Sequence, residues 1–214
     1  MKTTIRIFTL MLGIMFIFTQ CQKEAIDNAN PKPDGFENLE DLLEALPETA
    51  KFVIQLDMDV SYLKATLSEG GILNGVLSSY CIDSKTLITA GVIYDAFVYS
   101  QYSLPDDFSN IDKPGNFSKV NWIINYIDVG EEYSYADVQR AIWELLENNP
   151  LNIANPPLFY DPDKVAEIIA AAEAFEDDEG EFVPVCGQYV VVILDPVQNV
   201  QPVIILKPLV CGGE

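Results

Sequence analysis

Histidine is absent from the 214-residue chain. This removes Ser-His-Asp and Cys-His catalysis and every His-ligated metal site, so any nucleophile here must be activated without an imidazole. Basic residues are scarce, 12 Lys and Arg against 33 Asp and Glu, for a formal net charge of −21. A field of that sign repels nucleic acid and anionic lipid surfaces and attracts cationic partners such as a lysine-rich protein or a polyamine. The plain alternative is that acidity keeps a secreted protein soluble. No carboxylate pair stands at a spacing diagnostic of hydrolytic chemistry. The chain is nonetheless 49% hydrophobic, enough for a real core, and its length allows one ordinary domain plus a leader.

Residues 1–20 read as an export signal, with Lys2 and Arg6 preceding an apolar run from Ile7 to Phe18 that is too short to span a bilayer comfortably. Cys21 follows directly, and polar sequence begins at once. This resembles the lipobox of bacterial lipoproteins, with Cys21 as the acylated first residue, although Gln20 replaces the usual small residue. A secreted protein with an unmodified Cys21 is the alternative. Gln22, Lys23 and Glu24 resemble the short signals of some Gram-negative surface lipoproteins, implying a lipoprotein on the outer-membrane surface. Residues 21–46 read as a tether, polar and turn-rich around Asn30 to Pro33, with a short helix in Glu37 to Leu46. Residues 47–214 then form the folded domain.

Within that domain Lys51 to Asp57 alternates like a strand, and Tyr62 to Gly71 is ambiguous. Val76 to Asp83 reads as a strand with Tyr80 and Ile82 on one face and Ser79, Cys81 and Asp83 on the other. Taken alone, Cys81 is an ordinary buried thiol. Further strands are expected at Thr86 to Ile93 and Ala96 to Tyr102, then a polar loop from Pro105 to Gly115. A helix follows on Phe117, Val120, Ile123, Ile124 and Ile127.

Tyr133 to Leu146, YSYADVQRAIWELL, is the best-specified helix. Ser134 and Asp137 form a capping box, and Tyr133 with Val138 a hydrophobic staple. Val138, Ala141, Ile142, Leu145 and Leu146 make the apolar stripe, with Arg140, Glu144 and Glu147 expected in water. Gln139 falls on the stripe's edge beside Trp143, half buried under the indole. Beyond Pro150, Asp163 caps a helix expected to run through Phe175. The acidic run Glu176 to Glu181 matches no calcium-loop spacing and reads as a solvated loop, so no metal is expected. Tyr189 to Leu194 and Val203 to Leu206 read as paired strands, completing an α+β fold that is mainly an antiparallel β sandwich or barrel-like sheet with inserted helices.

The strand YCID (Tyr80 to Asp83), the segment KVNWIINY (Lys119 to Tyr126) and the helix VQRAIWEL (Val138 to Leu145), in that order, resemble the Cys-Gln thioester-forming domains of bacterial surface proteins. The resemblance implies that Cys81 and Gln139 close an intramolecular thioester, supported by Tyr80, Asp83 and Trp143. Val138 stands where the family often carries threonine. Such a ring needs no cofactor if the fold holds sulfur and carbonyl carbon about 3–3.5 Å apart and supplies donors for the developing oxyanion. With Cys21 lipidated and Cys81 in the ring, Cys186 and Cys211 remain. In an oxidising envelope they most simply form a disulfide, two free thiols being the alternative.

The expected function is therefore stoichiometric covalent capture of an amine-bearing protein or polyamine, adhesin-like and possibly directed at a host surface protein, with the membrane met through a lipid anchor only. The rival is a noncovalent lipoprotein binding or structural module. If the acidic surface steers lysine-rich targets, their rate of labelling should fall as ionic strength rises towards physiological values, where the Debye length shrinks to about 8 Å. A labelling rate independent of salt would exclude steering.

Overall fold

The computed structural model describes residues 36–105, 108, 111–152 and 158–211. Six strands form a closed barrel in the order β1-β2-β3-β6-β5-β4. They are β1 (Thr49–Leu56), β2 (Leu63–Ser68), β3 (Gly75–Cys81), β4 (Ile93–Ser100), β5 (Tyr189–Pro196) and β6 (Val203–Pro208). Every pairing is antiparallel. The α+β, barrel-like expectation holds, and closure leaves no open sheet edge.

Burial along the strands shows where the helices lie. In β1, β2 and β4 buried residues largely alternate with exposed or half-exposed ones, as in Leu63, Ala65 and Leu67 against Lys64, Thr66 and Ser68. One face fills the barrel and the other meets water. In β5 and β6, by contrast, Val190 to Leu194 and Val203 to Lys207 are buried without interruption. Three helices cover that side: α2 (Phe117–Tyr126), α3 (Tyr135–Leu146) and α4 (Pro162–Glu179). All three lie between β4 and β5 in the chain. Their apolar faces meet Tyr80, Ile82, Val191, Ile193 and Ile204 on the outside of the barrel.

A short helix, α1 (Leu39–Glu44), is capped by Asn38, whose side chain accepts the Asp41 N–H at 2.9 Å. It falls inside the stretch read as tether, yet Leu42 is fully buried against Val190 and Leu209. The folded domain therefore begins before Pro47.

Two further expectations are corrected, and one stretch left open is assigned. Thr86 to Val92 is not strand. Asp83 bends the chain by accepting the Lys85 and Thr86 N–H groups, and Gly91, at φ 79°, donates its N–H to Ile54. The chain thus leaves the ladder at Cys81 and rejoins it only at Ile93. The ambiguous Tyr62 to Gly71 stretch contains β2. Finally, α4 is capped by Asp161 rather than Asp163, with Pro162 preset for the first turn, and it continues through the acidic run to Glu179 before Gly180 ends it at φ 83°. Carboxylates in a last turn oppose the helix dipole, but Lys119 pairs with Glu176 across the α2–α4 contact.

Cys186 and Cys211 form the expected disulfide, closing a separation of 25 residues around the β5–β6 pair. Replacing both by serine should lower stability by about 3.5 kcal/mol on the chain-entropy model. Urea unfolding of the double variant against wild type measures it, and an unchanged midpoint would show that the crosslink constrains nothing.

Candidate functional site

The local structure around α3 explains how Gln139 is aimed. The capping box is complete: Ser134 Oγ accepts the Asp137 N–H at 3.2 Å, and Asp137 Oδ2 accepts the Ser134 N–H at 2.8 Å. The second Asp137 oxygen accepts the Asp161 N–H at 2.6 Å, tying the start of α4 to the start of α3. With its first turn fixed, α3 buries two faces rather than one. Val138, Ala141, Ile142, Leu145 and Leu146 pack on the outside of the barrel, while Ala136 and Trp143 join the cluster that fills the barrel and contains Cys81. Gln139 lies between Ala136 and Trp143 on this second face and is 0% exposed, not half exposed.

Its carboxamide has found a specific partner. Gln139 Oε1 accepts the Cys81 backbone N–H at 2.8 Å, and Gln139 Nε2 donates to the Cys81 carbonyl at 2.7 Å. Strand geometry accounts for why that peptide is available. The next residue, Ile82, donates its N–H to Pro202, on the β6 side. Successive residues point their backbone groups to opposite sides, so those of Cys81 face the β2 side. There β2 begins only at Leu63, opposite Ser79. The carboxamide supplies the pair of hydrogen bonds that a continued strand would have made.

A second clasp holds the other end of the helix. Glu147, expected in water, is 1% exposed and accepts from both the backbone N–H and the hydroxyl of Ser84, the latter at 3.0 Å. Lys85 adds an ion pair at 3.4 Å. Helix and strand are thus registered at two points, Gln139 on Cys81 and Glu147 on Ser84.

The three supporting residues divide. Trp143 packs in the Cys81 cluster, with its indole N–H buried and unpartnered among the described residues. Tyr80 lies on the opposite face of β3, so it holds the helices rather than covering the sulfur; its hydroxyl donates to Val60 at 3.3 Å. Asp83 is occupied by its own turn. Cys21 lies outside the described residues.

Electrostatics keep the site neutral. Burial, reinforced by the charge of Asp83, pushes the Cys81 thiol far above its ordinary range. Tyr62, not singled out by sequence, is raised to about 12, first by burial and then by Cys81 and Tyr135 nearby. Its ring stacks on Tyr135, the first residue of α3, at 6.4 Å. Above the thiol is a cavity of about 180 Å³, bordered by Tyr62, Gln201 and apolar side chains. Because β3 and β4 stand on opposite sides of the six-strand ring, the segment joining them crosses the barrel mouth as a strap. Leu87 and Ile88 of that strap form part of the cavity wall. The strap is pinned by Gln201, whose amide donates to the Asp83 carbonyl.

No protein-family model and no curated protein matches the chain. Among solved structures it is similar to the N-terminal thioester domain of the fibronectin-binding protein SfbI from Streptococcus pyogenes, at 12% identity over 84% of this chain and 96% of that one, with a TM-score of 0.42. The N-terminal domain of the Streptococcus pyogenes pilus tip adhesin Cpa is similar at 10% identity over 76% and 94%, TM-score 0.45. A Clostridium perfringens surface-protein thioester domain gives 14% identity over 73% and 97%, TM-score 0.41.

Removing the carboxamide leaves two buried backbone groups without a partner, at about 1–3 kcal/mol each. In a Cys81→Ala background, where no covalent link can form, Gln139→Ala should therefore lower the urea-derived stability by about 3 kcal/mol. A loss of only a few tenths would mean that water replaces the carboxamide.

Proposed function

We propose that the chain is a surface lipoprotein whose folded domain carries an intramolecular Cys81–Gln139 thioester and uses it to attach covalently to an amine-bearing target. The observation that carries this reading is the reciprocal pairing of the Gln139 carboxamide with the Cys81 peptide, both residues being buried. The Cys81 N–H already touches the oxygen on which negative charge develops, the position of an oxyanion donor. The Cys81 carbonyl holds the amide nitrogen that must leave.

Ring closure joins the Cys81 sulfur to the Gln139 side-chain carbonyl carbon and breaks its bond to nitrogen. The thiol proton departs with that nitrogen as ammonia. A high thiol pKa favours direct transfer of this proton over a free thiolate, in keeping with the absence of any imidazole. Capture reverses the roles: a primary amine attacks the carbonyl carbon, the carbon–sulfur bond breaks, and the sulfur regains a proton. The products are an amide between Gln139 and the target, and a free Cys81 thiol. One attachment consumes one ring, so the protein is a stoichiometric binder rather than a turnover catalyst.

The lipid anchor at Cys21, the short tether and the outer-membrane surface belong to this proposal and rest on the leader sequence. Targets are lysine side chains of a protein, a host surface protein among them, or polyamines. One observation favours a second reading, in which the domain binds or braces noncovalently: two good hydrogen bonds and a protonated thiol already make a stable latch.

Intact mass of the mature ectodomain distinguishes the two. Wild type should be lighter than its sequence by one ammonia, beyond the loss of two hydrogens at the disulfide. Cys81→Ala and Gln139→Ala should each retain the ammonia mass, and methylamine should add to wild type alone. Wild type at full mass would leave the noncovalent latch.

A further inference from the structure

The cavity above Cys81 differs in character from the surface around it. The protein carries a net charge of −21, yet no carboxylate lines this cavity. Its walls are Ile54, Leu56, Leu63, Leu87 and Ile88, with Tyr62 and Gln201 as the polar side chains beside the thiol. The Gln201 amide is engaged with Asp83, and the Tyr62 phenol is held neutral. Nearby acids have other partners: Asp57 pairs with Lys64 at 2.7 Å, and Asp83 closes its own turn. At the outer edge Leu56 is 50% exposed and Leu87 80% exposed, so the cavity opens to solvent through an apolar rim.

A nucleophile reaching the Gln139 carbonyl by this route passes through a space whose lining offers burial to methylenes and holds no carboxylate, the Asp83 charge that acts on the thiol being engaged by its own turn. The cavity's 180 Å³ is several times the space that one water needs, roughly 10–15 Å³, so a short alkyl chain has room. A lysine side chain beyond Cβ, three further methylenes and the amine, fits, as does the five-atom n-butylamine.

Taking the thioester reading as its premise, we propose that this cavity is an alkyl-stem subsite that selects amines borne on a single unbranched aliphatic chain, as in lysine, over polyamines. The attacking amine enters as the free base and loses one proton to the departing Cys81 sulfur. Its stem lies along the leucine and isoleucine walls. A polyamine must bring a hydrated ammonium against the same walls, where nothing replaces its water.

The experiment compares adduct formation on the full ectodomain by intact mass at physiological salt, with every amine supplied at equal free-base concentration. Loss of ammonia from the untreated protein is read first, because it reports the ring independently of any selectivity. From methylamine to n-butylamine the rate should climb by up to about fourfold per methylene, the equivalent of one buried CH₂, and then level off. Spermidine and 1,4-diaminobutane should react about tenfold more slowly than n-butylamine. Leu87→Glu, read against Leu87→Gln so that loss of the apolar wall is common to both and with ring closure checked in each by its loss of ammonia, should narrow that gap by giving the second ammonium a partner. With the ring closed, a flat alkylamine series, polyamines as fast as n-butylamine, or the same ratio in Leu87→Glu as in Leu87→Gln each overturns the subsite and leaves the thioester reading standing. An ectodomain that has lost no ammonia overturns both.

Discussion

The fold depends on how the chain treats one peptide unit, that of Cys81. A closed barrel pairs nearly all of its backbone groups by construction, but its rim does not, because strands end at different heights. Here β2 begins opposite Ser79 and leaves Cys81, two residues further on, without a strand partner on that side. Buried N–H and C=O groups without partners are strongly destabilising, and so the position demands a donor and an acceptor at strand spacing. A glutamine carboxamide is one of the few side chains that carries both. The same requirement brings an amide carbon to the one free cysteine among the described residues. The structural need and the proposed chemistry thus fall on a single side chain.

That coincidence explains why α3 must be buried on two sides. A helix presenting one stripe to the barrel could rotate or slide by a fraction of a turn with modest loss. By inserting Ala136, Gln139 and Trp143 into one cluster while Val138, Ala141 and Ile142 pack into another, α3 loses that freedom. The Ser134–Asp137 cap and the Glu147–Ser84 clasp then fix its two ends. The proposed ring closure would need supporting contacts of this sort, since without a base the reacting carbon must be placed to a fraction of an ångström.

Much of this was legible in sequence where the signal is local. The capping box, the YCID strand with its alternating faces and the paired strands β5 and β6 follow from short-range pattern, whereas the pairing of Cys186 with Cys211 is reached by elimination, once the resemblances assign Cys21 and Cys81. Apart from the start of α4, where Asp161 and Pro162 are a local signal passed over, the misreadings share a cause, tertiary contacts that periodicity does not encode. Glu147 sits at helical spacing for water and is buried because the chain after Cys81 folds back onto it. Thr86 to Ile93 has strand-forming residues but must cross the barrel mouth, so its turn chemistry prevails over propensity. Gln139 looked like a stripe-edge residue because only one buried face of α3 shows as a hydrophobic pattern. The cavity-lining Tyr62 and Gln201 carry no local signature at all, coming from a turn and a loop that only barrel closure brings to the same rim.

The site also separates two electrostatic tasks that composition alone would merge. An acidic exterior attracts cations from a distance, over about a Debye length, and does so for lysine-rich surfaces and polyamines alike. The proposed selection at the sulfur would operate over contact distances in a neutral, largely apolar cavity, where a second charge is a liability rather than an attraction. The two steps act in sequence on the same molecule. A lysine on a basic protein surface satisfies both, since its neighbours' charges remain outside while a single uncharged stem enters. A small polycation satisfies the first and fails the second, because its charges cannot be left behind. If Cys81 and Gln139 carry the proposed thioester, exterior and cavity together would favour a macromolecular target over the free polyamines that would otherwise exhaust a single-use bond.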